Sequence, residues 1–482
     1  MPAGRPNVIV ILSDQLRRDA LGVYGDRNVR TPHIDRLAAR GTRFTAACST
    51  FPLCVPFRFS LMTGQYAHSR FVPAIEWRMS PAERTLADEF NDAGYETVYL
   101  GKWHLYGDPW HVRDAAGGPE YDHGLKINLI RVPRDHQGRF AKWYGFEMRN
   151  DPMDTYYFED DDPTPRPLRP YQTDGLFDVA MDHLAARDAG RPVFMILSIE
   201  PPHPPYVAPP DYERRWAGRE LHLPDNFMAP IDAGPLSDEP IHEGLFAATH
   251  GREAILAQRR TYYAMIENLD DNVGRLTGFL EARGLAENTL VVLAADHGSN
   301  QGSHGLVEKQ FPFEESVGIP LIVSHPGRDW PADRAVDEPT HTEDLFPTLL
   351  GLAGISPKAP TPGVDLAPLV RGETEDLGRE GVLLEFVDET RRGAAFHERL
   401  WRGFRTRRFK YTVLGGPSGG RPWQFFDLQA DPYELTNRVD DPACADEVRR
   451  HHKLLAEAIV RTGDHYVLSE AFGVEGVNLW RP

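Results

Sequence analysis

The run Asn7-Val8-Ile9-Val10-Ile11-Leu12, halted by Ser13-Asp14-Gln15, reads as a strand that is apolar on both faces and ends in an acid. A strand without polar alternation is one covered on both sides, the situation in a mostly parallel sheet with helices above and below. Three further runs share this form. Residues 97–100 stop at Gly101-Lys102-Trp103-His104, VFMILSI at 193–199 gives way to Glu200-Pro201-Pro202-His203-Pro204-Pro205, and TLVVLAA at 289–295 ends at Asp296-His297-Gly298. Ligands of open α/β sheets bind beyond the carboxyl ends of the strands, so the four polar ends are expected to converge.

Amphipathic segments at 34–40, 85–93, 177–186 and 253–283 supply the crossovers, the second and fourth closed by Gly94 and Gly284. The expected fold is α/β, a large mostly parallel β-sheet flanked by helices on both faces and occupying residues 1–372. After Gly372 come short strand candidates at 382–386, 403–405, 410–413 and 424–428 and a helix at 446–462, which predict a smaller C-terminal α+β domain, residues 373–482, on an antiparallel sheet. The long irregular stretches 105–172 and 201–250 follow two of the reactive strand ends and are read as walls of a pocket. The acidic run Glu159-Asp160-Asp161-Asp162 is read as a solvated face.

The 53 Lys and Arg against 71 Asp and Glu leave a net charge of −18, which argues against nucleic acid or an anionic membrane as a partner. An anionic substrate would then need a locally positive pocket. No run reaches the ~18 apolar residues of a membrane span, and the start of the chain runs into the first strand without a leader pattern. Three cysteines, Cys48, Cys54 and Cys444, are too few for a disulfide framework, and the expected location is the cytoplasm.

Cys54-Val55-Pro56-Phe57-Arg58, with Leu61, Thr63 and Gly64 after it, puts a nucleophile-capable side chain at a helix start. Pro56 suits a first turn, and Phe57, Leu61 and Met62 recur at helical spacing. A helix N-terminus and an arginine fork both favour a tetrahedral oxyanion, so an oxyanion ester is the expected ligand. Asp14, Asp296 and His297 offer two carboxylates and an imidazole, a set able to hold a divalent cation.

The Cys-x-Pro-x-Arg pattern followed by Thr-Gly resembles the signature of the formylglycine-dependent sulfatases of the alkaline phosphatase superfamily. The stretch Phe425-Phe426-Asp427-Leu428 with Asp431, Pro432, Glu434 and Asn437 resembles their C-terminal segment, so the likeness runs from about residue 7 to about 440. The resemblance implies an alkaline phosphatase-like fold and an arylsulfatase-like sulfuric ester hydrolase in which a formylglycine-generating enzyme oxidises Cys54. It implies one divalent cation, calcium first with magnesium or manganese as alternatives, on Asp14, Cys54, Asp296 and His297. The hydrated aldehyde would attack the sulfur with one hydroxyl and expel sulfate with the other. Arg58 and Lys102 would hold the nucleophile end, His104 would help remove a proton, and His203 and Lys309 would meet the sulfate and the departing oxygen. Two positions depart from the commonest pattern, Gln15 where many members have aspartate and His297 where many have asparagine; Gln15 is the weaker candidate ligand. His68, His111 and His304 receive no role.

Two rivals stand beside this reading: a phosphonate monoester or phosphodiester hydrolase of the same superfamily, and a catalytically silent binder of sulfated ligands. The substrate is expected to be a small sulfate ester. Trp77, Trp110, Trp143 and Trp330 are candidates to stack on a ring, and the 472–480 tail could pack on its own body or on a second copy in a homo-oligomer.

Overall fold

The four doubly apolar runs are neighbours in one sheet, in the order β8 (Thr289–Ala295), β1 (Asn7–Ser13), β7 (Val193–Ile199) and β3 (Glu96–Lys102), all parallel. The computed structural model of the chain describes residues 4–75, 77–107, 130–148, 151–188, 190–230, 250–389, 396–397, 399–416 and 419–469. Register sets the level of the strand ends. Ser13 lies opposite both Ala295 and Ile199, and Gly101 opposite Ser198, so Asp14, Asp296, Glu200 and Lys102 emerge side by side. Every residue of β1, β7 and β8 is buried.

The sheet continues on both flanks with β2 (Gly41–Phe44), β9 (Leu321–Ser324) and β10 (Arg334–Val336) on one side and β4 (Lys142–Phe146), β5 (Thr155–Glu159) and β6 (Arg166–Leu168) on the other. β9 and β5 run antiparallel to their neighbours, so the sheet is mixed at its margins. Part of the 105–172 stretch is therefore sheet edge, a correction to its reading as irregular pocket wall. The acidic run is a solvated face, as expected, and it carries surface ion pairs: Lys142 with Asp160 at 2.7 Å, Arg131 with Asp161 at 2.7 Å, and Arg166 with Asp162 at 3.1 Å and also with Glu159. Trp143 belongs to the core, stacked 4.9 Å from Tyr99 and edge-on to Trp103. Trp110, His111 and the 472–480 tail lie outside the described residues.

Helices Pro32–Ala39, Gln172–Ala186 and Arg252–Ala282 form one packed set flanking the sheet, and Cys54–Thr63, Leu86–Asp92 and Thr342–Leu352 form another. No helix among the described residues is long and apolar enough to cross a membrane. Gly101 holds φ 89°, and a Cβ there would sit 1.9 Å from the Ser198 carbonyl oxygen. Glycine alone lets β3 lie this close to β7 just before Lys102.

A second, antiparallel sheet joins β11 (Gly381–Glu385), β12 (Trp401–Thr406), β13 (Phe409–Leu414) and β14 (Arg421–Asp427) in that order. Helix Ala445–Thr462 lays Val448, Leu455 and Ile459 on Leu383, Phe404, Tyr411 and Phe425. Their helical spacing makes one apolar stripe. His68 ties this layer to the main body, its Nδ1 2.6 Å from Glu385 Oε2 and its Nε2 against the Thr462 carbonyl. Burial lowers the His68 pKa, but the Glu385 carboxylate outweighs it and lifts the imidazole to about 9. A pKa raised by folding stabilises fully below the ordinary value of 6.5 and is lost as pH rises through about 9. Urea midpoints between pH 6 and 10 should therefore fall by the equivalent of about 3 kcal/mol in the parent. The loss should be much smaller in His68→Gln; equal slopes would remove this tie from the account.

Candidate active site

Asp14 stands at the centre, past the end of β1. Its Oδ2 accepts from Lys102 Nζ at 2.7 Å and from an Arg58 Nη at 3.4 Å, while Oδ1 faces Cys54 Sγ at 3.5 Å and His297 Nε2 at 3.6 Å. Burial would raise this carboxyl, but the charges of Lys102 and then Arg58 hold it well below the usual carboxylate range. Asp296 mirrors it from β8: Oδ2 accepts from Arg58 at 3.1 Å, and Oδ1 accepts the backbone N–H groups of Gln15 and His297 at 3.0 and 2.9 Å.

Cys54 opens the helix Cys54–Thr63, all of whose residues are buried, and Arg58 sits one turn further on. That spacing puts both side chains on the face toward the strand ends. Sγ lies 3.2 Å from His297 Nε2. Burial first, then Asp14 and Asp296, push the thiol up to about 12 against the pull of Lys102 and Lys309. His297 Nδ1 is 2.9 Å from the Gly298 carbonyl, which assigns the proton to Nδ1 and leaves the Nε2 lone pair facing the carboxylates. One ligand atom each from Asp14, Cys54, Asp296 and His297 falls within 4.8 Å of the others.

Two cations back this group. Arg58 also donates to Ser198 Oγ and the Lys102 carbonyl, at 2.8 and 2.9 Å. Lys102 sits between Asp14 and Glu200, 3.5 Å from the latter. Burial would lower its pKa, yet Asp14, the Cys54 side chain and Glu200 raise it, so the ammonium stays charged. His104 is 8 % exposed and its Nδ1 has no hydrogen-bond partner among the described residues. Burial, then Lys102 and Arg58, hold this imidazole neutral well below its ordinary pKa. Gln15 and His104 carry left-handed backbone, φ 62° and 56°, which turns the chain sharply just past β1 and β3.

Lys309 and His203 form the other side. Lys309 Nζ lies 2.6 Å from Gln15 Oε1 and 3.1 Å from His203 Nε2, while His203 Nδ1 donates to the Pro204 carbonyl at 2.6 Å. Burial and then Lys309 keep His203 neutral. The Gln15 amide thus bridges Lys309 to Ser299, its Nε2 3.0 Å from the hydroxyl, and its carbonyl oxygen is already engaged.

All the predicted site residues, Asp14, Cys54, Arg58, Lys102, His104, His203, Asp296, His297 and Lys309, thus lie in two linked groups. Glu200 and Ser198 had no assigned role. Glu200 sits in the quoted strand end but among prolines, and its function emerges only through Lys102 and through Gln172, whose Nε2 reaches its Oε2 at 2.9 Å. Ser198, the one hydroxyl inside an apolar run, was a legible signal. His304 lies instead with Glu315 and Asn226, at 3.5 and 3.0 Å. Trp77 is half-buried, edge-on to Phe59.

A cation-ready group of two carboxylates, an imidazole and a cysteine at a helix start, set at the carboxyl ends of a mostly parallel sheet, defines a hydrolase centre for oxyanion esters. The chain belongs to the sulfatase family, sulfuric ester hydrolases of the alkaline phosphatase superfamily: the family model described as Sulfatase matches residues 6–355, and that described as N-sulphoglucosamine sulphohydrolase, C-terminal, matches residues 302–461. It is 30 % identical over 444 residues to an ulvan-active sulfatase of Formosa agariphila, covering 91 % of this chain and 78 % of that one. A solved structure of a protein with its substrate D-glucosamine-2-N,6-O-disulfate shares the fold with a TM-score of 0.82 at 22 % identity, over 96 % of this chain and 99 % of that one. The phosphonate monoester hydrolase of Agrobacterium radiobacter shares it too, with a TM-score of 0.73 at 24 % identity over 95 % and 96 % of the two chains.

Proposed function

We propose that the chain hydrolyses a sulfate monoester with a formylglycine made from Cys54, over one divalent cation held by Asp14, Asp296, His297 and the side chain at position 54. The observation that carries this reading is the gathering of those four ligand atoms within 4.8 Å, with Arg58 and Lys102 at one flank and Lys309 and His203 at the other. Two carboxylate oxygens and an imidazole nitrogen fit a hard or borderline dication, and calcium is our assignment ahead of magnesium or manganese. Such an ion would neutralise the non-bridging oxygens of the ester and acidify the hydroxyl at position 54.

The protein's own groups divide the remaining work. Arg58 clamps both carboxylates, and Lys102 keeps Asp14 ionised and in place. His104, held neutral, is a base for the position-54 hydroxyl. Lys309 shares a hydrogen bond with His203 Nε2, so this pair can deliver a proton to the departing alcohol oxygen. Maturation by a formylglycine-generating enzyme and a small sulfate ester met in the cytoplasm complete the reading.

The test is a comparison of kcat/KM for an aryl sulfate, a sugar sulfate and a phosphonate monoester, with the mass of the tryptic peptide containing position 54. Sulfates should lead by about 100-fold or more, and the peptide should be lighter by the change from CH2–SH to CHO. A phosphonate lead of that size would transfer the assignment to the phosphonate hydrolases, and an unmodified cysteine in protein from its native host, without turnover, would leave a silent binder.

A further inference from the structure

A second polar cavity opens at the other end of the sheet. β9 runs antiparallel to β8, so the chain leaving Ser324 emerges at the amino ends of the parallel strands. The seven residues of β8 put that end about 20 Å from Asp296. The cavity there measures about 420 Å³, and Arg40, Glu281, Glu287, His325, Arg328 and Trp330 line it.

Its walls are rigid. The Arg328 N–H closes the turn His325-Pro326-Gly327-Arg328 on the His325 carbonyl at 3.0 Å, and the His325 N–H bonds the Arg40 carbonyl at 3.1 Å. A Cβ on Gly327 would fall 1.9 Å from the Glu287 carbonyl oxygen, so only glycine lets this turn lie on the neighbouring chain.

Two of its polar atoms lack partners among the described residues. His325 is 1 % exposed, yet its Nε2 has no hydrogen-bond partner among the described residues, and neither does Arg328 Nε. Arg328 reaches only the neutral Asn288 Oδ1, at 3.1 Å, and no carboxylate pairs with it among the described residues. The charge of Arg40 is taken by Glu281, and Glu287 stands exposed at the rim. The half-buried Trp330 adds an aromatic wall, with the His325 ring 5.0 Å away and the Arg328 and Arg371 guanidinium carbons 6.0 and 5.7 Å from its centre. A half-buried guanidinium with no acid against it favours an anion. An indole wall beside them in a space this large calls for a ring to carry it.

We propose that this groove binds an acidic sugar, the ring against Trp330 and its sulfate or carboxylate group against the Arg328 guanidinium. The idea takes from the proposed reaction only that sulfated molecules are what this protein meets. It is tested in the Cys54→Ala protein by calorimetric titration with glucose 6-sulfate, glucuronate and glucose. Both acids should fill a site that neutral glucose does not, and Arg328→Gln and Trp330→Ala should each weaken it by about 10-fold or more. Trp330→Phe should restore it, and in the parent background all three substitutions should leave kcat/KM for p-nitrophenyl sulfate unchanged. Binding unaltered by Arg328→Gln, or equal for glucose and glucose 6-sulfate, overturns the proposal. A groove that binds in a parent protein hydrolysing no sulfate ester would sink the reaction and spare the groove.

Discussion

Cys54→Ala, produced beside a maturation enzyme, should fold like the parent and lose turnover of an aryl sulfate by about 10⁴-fold or more. The Ser198 hydroxyl is not free to replace the lost group, because it already donates to the Lys102 carbonyl and accepts from Arg58. Losing the one small buried group at position 54 should cost the fold only about 1 kcal/mol. A steady-state assay paired with a urea melt separates the two effects. Activity within tenfold of the parent would remove Cys54 from the chemistry.

Asp14→Asn should be costly twice over. The carboxylate is a candidate cation ligand and also the counter-charge of Lys102, fully buried at 2.7 Å. Leaving a buried ammonium short of its partner is expected to cost about 3–5 kcal/mol of stability, and turnover should fall by about 10³-fold or more with the cation site disrupted. Adding Lys102→Met should return much of the stability and none of the activity, because the orphaned charge is gone while the chemistry is not rebuilt. Denaturation midpoints, kcat and bound metal by elemental analysis read all three consequences. A single variant with an unchanged midpoint and full metal content would refute this account of Asp14.

The centre of the sheet and most of the site were legible because both depend on local pattern. Doubly apolar runs identify covered strands, and the polar residues that stop them are where a parallel sheet presents its ligands, which is how Asp14, Lys102, His203 and Asp296 were found. The margins were not legible. Lys142-Trp143-Tyr144-Gly145-Phe146 is short and interrupted by glycine, and it becomes a strand only because β3 offers a free edge beside it. Glu200 was overlooked for a related reason: its meaning lies in Lys102 and Gln172, contacts made across 98 and 28 residues of sequence. The second role of Gln15, which ties Lys309 to Ser299, likewise exists only after folding.

The level strand ends have an evolutionary corollary. Deleting one amino acid inside β1 would swing Asp14 to the opposite face or pull it below Ala295 and Ile199, breaking the alignment that lets four separate segments meet. The parallel ladder thus works as a ruler with no slack. Natural length variation among kindred proteins should gather in the links outside β8, β1, β7 and β3, where an inserted stretch could reshape what enters the pocket without moving the groups that act there.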